Sequence, residues 1–182
     1  SALALVGCSS GGAAAPDEAP VVKEEVAFEA GTTMAKLHDA GKITVGTKFD
    51  QPLFGLVGPD GVPEGFDVEI AKIIAGELGI DAKNIEWVEA VSANREPFIE
   101  NGQVDIVVAT YTINDKRKEV VSFAGPYYIA GQDLRVLAGN PDGIKSIDDV
   151  KGQKVCSVTG STSAQNLKDA GVEVIETDTY SN

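Results

Sequence analysis

At 182 residues, the chain can hold one domain, or one and part of another. With 43% apolar and 24% charged residues, it has ordinary globular composition. Its net charge of −13 argues against nucleic acid, whose phosphates demand a basic footprint, and favours a well-hydrated surface.

The chain opens on Ser1-Ala2-Leu3-Ala4-Leu5-Val6-Gly7-Cys8 and continues Ser9-Ser10-Gly11-Gly12. This apolar run is far short of the about 20 residues that cross a bilayer. A buried strand is one reading, but a Gly/Ser tract is a poor continuation for a strand. The tract also resembles the tail of a bacterial lipoprotein signal peptide, in which Cys8 is the lipidated residue. Cys8 would then anchor a soluble domain to a membrane surface. Residues 9–30 hold few groups able to form a core and read as a flexible linker.

Met34 to Ala40 reads as a short helix stopped by Gly41, Ile43 to Thr47 as a strand, and Asp60-Gly61 with Pro63 as a turn. Between Gly65 and Gly79, the residues Phe66, Ile70, Ile73, Ile74 and Leu78 fall on one helical face. Asp67 and Glu69 suit the positive end of that helix, and Gly79 suits its stop. A strand from Asn84 to Val88, a helix from Ala93 to Asn101 and a strand from Val104 to Ala109 follow. This alternation predicts an α/β fold with a parallel sheet. Asp133 to Ala138 reads as another strand, and residues 139–143 as a break. A second α/β pattern follows, with helix Ser146 to Lys151, strand Lys154 to Val158, helix Ser161 to Ala170 and strand Val172 to Ile175. Residues 31–137 therefore form a first lobe, and 138–182 the beginning of a second.

The stretch from Arg95 to Tyr128 carries the most chemistry. Its strand Val104 to Ala109 ends in Thr110 and Thr112, and Arg117 sits five residues past the second threonine. Ligands of open α/β folds bind at the carboxyl ends of strands. Arg117 there would grip a carboxylate with two hydrogen bonds; the bland alternative is a solvated helix start. A single histidine, His38, and one cysteine besides Cys8 cannot close a zinc site, so no metal is expected. His38 reads as solvated surface. Cys156, inside Val155-Cys156-Ser157-Val158, reads as a small buried apolar residue or as half of a disulfide. No phosphate loop, nucleophile elbow or paired acid/base carboxylates are present, so neither a cofactor nor catalysis is expected.

Three motifs together resemble the polar amino-acid group (family 3) of ABC-transporter solute-binding proteins. They are Gly65-Phe66-Asp67-Val68-Glu69-Ile70-Ala71, Thr112 to Lys118 with Phe123 to Tyr128, and Val158-Thr159-Gly160-Ser161-Thr162-Ser163. Val45 to Pro52 and Asn94 to Phe98 look most like the glutamate-binding lipoproteins of actinobacteria. The resemblance implies a two-lobed, type II periplasmic-binding-protein-like fold with the amino acid held in the cleft. In it, Arg117 and Thr112 take the ligand's α-carboxylate, oxygens near Thr110 contribute to the ammonium or the carboxylate, and Ser161 and Thr162 meet the same end from the second lobe. It also implies that Lys48, Arg95 and Ser92 surround a side-chain carboxylate. A solvated loop lysine and a helix-surface arginine are the alternatives for the two cations.

The function so implied is extracytoplasmic capture of an acidic L-amino acid, glutamate first, for delivery to an ABC permease. The protein would be monomeric and lipid-anchored to the cell membrane. Rivals on the same fold are a cyclohexadienyl (prephenate or arogenate) dehydratase and a ligand-sensing ectodomain. Relatives continue past Asn182 to finish both lobes, so the chain looks truncated. In them, a cysteine just after a Tyr-Ser pair like Tyr180-Ser181 would be the disulfide partner of Cys156.

Overall fold

The computed structural model describes residues 20–181. Cys8 and the first part of the expected linker lie outside the described residues. The chain starts its regular structure with α1 (Thr33–Ala40), whose Thr32 hydroxyl accepts the Ala35 N–H. Gly41 closes it in the left-handed conformation, as a C-terminal glycine should.

β1 (Ile43–Thr47) follows, and all of its residues but Thr44 are buried. Such a strand belongs in the middle of a sheet covered on both faces. A small antiparallel sheet comes next, built from β2 (Asp50–Gln51), β3 (Gly55–Val57) and β4 (Pro63–Glu64). The turn at Asp60-Gly61 marks it in the sequence, but strands of two or three residues carry no readable alternation. Then come α2 (Phe66–Glu77), β5 (Ile85–Glu89), α3 (Arg95–Glu100) and β6 (Ile106–Val107). β1 pairs in parallel with β5 on one side and β6 on the other, giving the order β5-β1-β6. The predicted parallel sheet is thus present, with β6 shorter than the expected strand from Val104 to Ala109.

The face that α2 turns to the sheet differs from the one read by periodicity. Asp67, Val68, Ala71, Ala75 and Gly76 are its buried residues, while Phe66 and Ile73 are exposed. Small side chains bring the helix close to β1, and the branched Ile70 and Ile74 pack at the margin of the core. Leu37, Ile43, Val45, Leu78, Ile80, Ile85 and Val108 complete that core.

The end of the expected linker is docked. The Lys23 N–H donates to Gly76 O, its ammonium pairs with Glu77, and Phe28 packs on the core and edge-on against His38. His38 is accordingly half-buried, its Nδ1 donating to Leu78 O at 2.8 Å. That corrects its reading as solvated surface.

After α4 (Asp115–Lys118), residues 126–138 form no strand, which corrects the expected strand from Asp133 to Ala138. A strand exists only through its ladder, and this segment finds no partner strand among the described residues. Leu134 within it already packs on the second core, with Val150, Leu167 and Val172. That core lies under β7 (Lys154–Val158), α5 (Thr162–Asp169) and β8 (Glu173–Thr177), β7 and β8 being parallel. Ser146 and Asp149 form a reciprocal cap on the short 3₁₀ turn before β7. Cys156 on β7 is exposed, not buried, because its strand has one neighbour and an open face.

A two-stranded sheet over three buried apolar residues is marginal beside a three-stranded one over nine. In this chain the amides of β1 and β5 should therefore exchange about tenfold or more slowly than those of β7 and β8. Hydrogen exchange read by mass spectrometry checks this; equal protection in both halves would contradict it.

Candidate ligand-binding cleft

The three parallel strands of the first lobe deliver their carboxyl ends to one edge. Lys48 follows β1, Ser92 and Arg95 follow β5, and Thr110 and Thr112 follow β6. β7 brings Gly160, Ser161 and Thr162 from the second lobe to meet them.

Lys48 is fully buried. Its Nζ lies 2.7 Å from Asp50 Oδ1, an ion-pair distance, although the angles fall short of a hydrogen bond. Tyr180 places its ring 5.3 Å from the same ammonium. Asp50 Oδ2 accepts the N–H groups of Tyr180 at 2.6 Å and Ser181 at 3.2 Å. Burial works against charge on Asp50, but Lys48 and the two amides hold its carboxyl below the usual range.

Arg95, 3% exposed, has no such partner. Its Nε donates a long hydrogen bond to Ala90 O at 3.4 Å, and no carboxylate among the described residues reaches ion-pair distance. Burial, then repulsion from Arg117, lowers its pKa to about 10, so it remains a cation at neutral pH. Nearby in sequence, the Ser92 hydroxyl is buried with no hydrogen-bond partner among the described residues. Both guanidiniums stand over the Tyr111 ring, that of Arg95 5.3 Å and that of Arg117 4.6 Å from its centre. Stacking on a π-face lets two like charges approach at reduced cost.

Arg117 lies in the single turn of α4, where the Asn114 side chain at the N-cap accepts its N–H at 2.9 Å. Its guanidinium holds three groups: Glu96 Oε1 at 3.1 Å from Nε, Thr112 O at 2.9 Å from Nη1, and Gly160 O at 3.1 Å from Nη2. A guanidinium has five N–H donors, so one remains on each terminal nitrogen. The bond to Gly160 crosses between lobes, and so does the 3.1 Å contact of the Thr112 and Thr162 hydroxyls. Gly160 must be glycine on two counts: its φ is +75°, and a Cβ would lie 2.9 Å from Ala93 Cα.

Thr110 adopts φ 47°, rare for a β-branched residue. Asp67, wholly buried, stabilises that turn by accepting the Thr110 N–H at 2.6 Å and the Tyr127 hydroxyl at 2.8 Å. Burial raises the Asp67 pKa, and these two hydrogen bonds oppose the rise. The Thr110 hydroxyl turns to Gln51 Oε1, 2.9 Å away. Ser161 Oγ accepts the Ala164 N–H and caps α5.

Of the expected ligand residues, Arg95 and Arg117 come together around Tyr111, and Thr112 meets Thr162. Lys48 is drawn to Asp50, and the Thr110 and Ser161 side chains are engaged locally. Sequence reasoning did not single out Asp50, Glu96 or Tyr111, and read Asp67 only as a helix-start charge. Tyr111 stands between two threonines that drew notice, but its role depends on arginines 16 residues before it and six after it (95 and 117). A cavity of about 590 Å³ opens beside Asp50, Phe49, Arg135 and Tyr180, and is not lined by Arg95 or Arg117.

Residues 43–181 match the model of the bacterial extracellular solute-binding proteins, family 3. The glutamate-binding protein GluB of Corynebacterium efficiens is 44% identical over 84% of the chain and 54% of its own length. The glutamine-binding protein of Geobacillus stearothermophilus is 41% identical over 96% of the chain and 66% of its own length. The chain thus spans between half and two thirds of these relatives. Among solved structures, the ancestral amino acid-binding protein AncCDT-1, a precursor of cyclohexadienyl dehydratase, is similar with a TM-score of 0.74. It is 33% identical, and the match covers 81% of this chain and 66% of that one. With two α/β lobes meeting at their strand ends, the chain has the two-lobed type II fold, its second lobe represented in part, and belongs to the bacterial extracellular solute-binding proteins, family 3.

Proposed function

We propose that this chain comes from a protein that captures an acidic L-amino acid, glutamate first, outside the cytoplasm and passes it to an ABC permease. The observation that carries the acidic ligand is Arg95, a buried cation without a carboxylate partner among the described residues. Asp67 and Glu96 act on it only from beyond ion-pair distance, and a buried charge without a close hydrogen-bonded partner is costly, a cost that a ligand carboxylate would lower. Relatives named for glutamate and for glutamine are both close, so Arg95, not similarity, supports the choice between them.

In this reading Arg117 holds the α-carboxylate through its two remaining N–H donors, aided by the Thr112 hydroxyl. Ser92 offers its unpartnered hydroxyl beside Arg95. Ser161 and Thr162 approach from the second lobe, and Thr110 supplies backbone shape. Closure of the lobes around the ligand is the signal the permease reads. Ligand capture needs no general acid, and the two buried carboxylates of the cleft are engaged, Asp67 by Thr110 and Tyr127 and Asp50 by Lys48 and two amides. That favours binding over the dehydratase alternative. Cys8, outside the described residues, is the lipid anchor in this reading, and the protein acts as a monomer at the outer face of the membrane.

Arg95→Gln keeps a polar side chain and removes the charge. In the full-length protein it should lower the glutamate-to-glutamine affinity ratio about tenfold or more, the worth of one charge-assisted contact. Calorimetry with both amino acids decides it, and an unchanged ratio would remove the case for an acidic side chain. Arg117→Lys keeps charge but loses the fork, so glutamate and glutamine should both weaken, by a similar factor of about ten or more. Selective loss of one ligand would move Arg117 to the side-chain end. Mass spectrometry of protein from its native host should find Cys8 carrying lipid, and an unmodified Cys8 would refute the anchor.

A further inference from the structure

Lys48 and Asp50 are a buried pair whose charges answer each other. Both groups follow β1 in the first lobe, yet the pair is completed from the second. Asp50 takes two backbone N–H groups from Tyr180 and Ser181, beyond the end of β8, and Tyr180 covers the Lys48 ammonium with its ring. With the lobes apart, Asp50 would lose both amides and Lys48 its aromatic cover. The pair is therefore placed to respond to closure.

We propose that Asp50 is a clasp residue. It neutralises Lys48, so that Lys48 does not read the ligand's charge, and it locks the second lobe through the Tyr180 and Ser181 amides when the lobes close. This inference rests on the reading of lobe closure as the working motion. It assigns ligand selectivity to Arg95 alone, and it assigns the lifetime of the closed form to Lys48, Asp50 and Tyr180. Charge logic supports the division. Removing one member of a buried ion pair strands the other, whereas replacing both by uncharged groups of similar size is often neutral. A carboxylate that accepts two amides also makes charge-assisted hydrogen bonds, which are stronger than neutral ones.

The test uses full-length protein with Asp50→Asn, Lys48→Met and the double variant. Ligand release is followed by stopped-flow fluorescence of Trp87, and exchange of the Tyr180 and Ser181 amides is measured without ligand. Asp50→Asn should release glutamate and glutamine about tenfold faster, both to the same extent, and should expose the two amides to exchange. The double variant strands no cation but still lacks the carboxylate that accepts the two amides, so it too should release both ligands faster than wild type. The glutamate-to-glutamine ratio should stay at its wild-type value in all three. A ratio that collapses in Lys48→Met and in the double variant would make Lys48 a ligand contact and overturn the clasp. Unchanged release and unchanged amide exchange in Asp50→Asn would overturn it as well. If wild type binds neither amino acid, the ligand assignment fails, while the amide exchange still decides the clasp.

Discussion

The cleft hangs from the parallel pairing of β1 with β5 and β6. Gly46 sits at the centre of that pairing, where an added Cβ would lie 3.0 Å from Val107 Cγ2 and 3.1 Å from Ala90 Cβ. This close packing sets three strand ends side by side at one edge. Lys48, the segment from Ser92 to Arg95, and the segment from Thr110 to Thr112 leave the sheet there. Loops so short inherit their positions from the strands, which makes a precise site possible on a small scaffold. β1 itself is nearly all buried, so its register cannot slip without moving charged Lys48 into apolar surroundings.

Charge is distributed along this edge with different degrees of compensation. Lys48 is matched by Asp50, and Arg117 by Glu96 together with two backbone carbonyls. Arg95 is held by packing, by the face of Tyr111 and by one long hydrogen bond. In a chain of net charge −13, Arg95 is thus a buried cation with no carboxylate at ion-pair distance among the described residues, with Asp67 and Glu96 acting on it only from farther away. Both guanidiniums stand over the ring of Tyr111. Its phenol is pushed up by burial and by nearby Glu96, and stays neutral.

Contact between the lobes is made largely by backbone. Gly160 O, the Tyr180 N–H and the Ser181 N–H are the second lobe's groups in three of the inter-lobe bonds. Their partners on the first lobe are charged side chains, Arg117 and Asp50. Such bonds are strong when made and are replaced by water when broken. Asp67 ties the Thr110 turn to Tyr127, at the start of the segment that runs to the second lobe.

Much of the fold was legible without coordinates. The span of β1, the helix after Gly65, the capped helix after Ser161 and the β-α-β alternation all follow from periodicity, caps and glycine stops. These are local properties, settled within a few residues. The motif around Arg117 and its threonines was legible for the same reason, since the strand and the polar turn are adjacent in sequence. Periodicity misjudged the buried face of α2, because Ala71, Ala75 and Gly76 pack more closely than isoleucine can. It also gave residues 133–138 a strand that no partner completes. The docking of Lys23 and Phe28, and the half-burial of His38, depend on neighbours about 10 to 55 residues away in the chain. Above all, which cation keeps its charge unmatched was decided by tertiary structure. In sequence, Lys48 after a strand and Arg95 at a helix start are two basic residues that the resemblance assigns to the same carboxylate. Only folding brings Asp50 and Tyr180 to the first and leaves the second with an aromatic face, because ion pairing depends on distance through space and not along the chain.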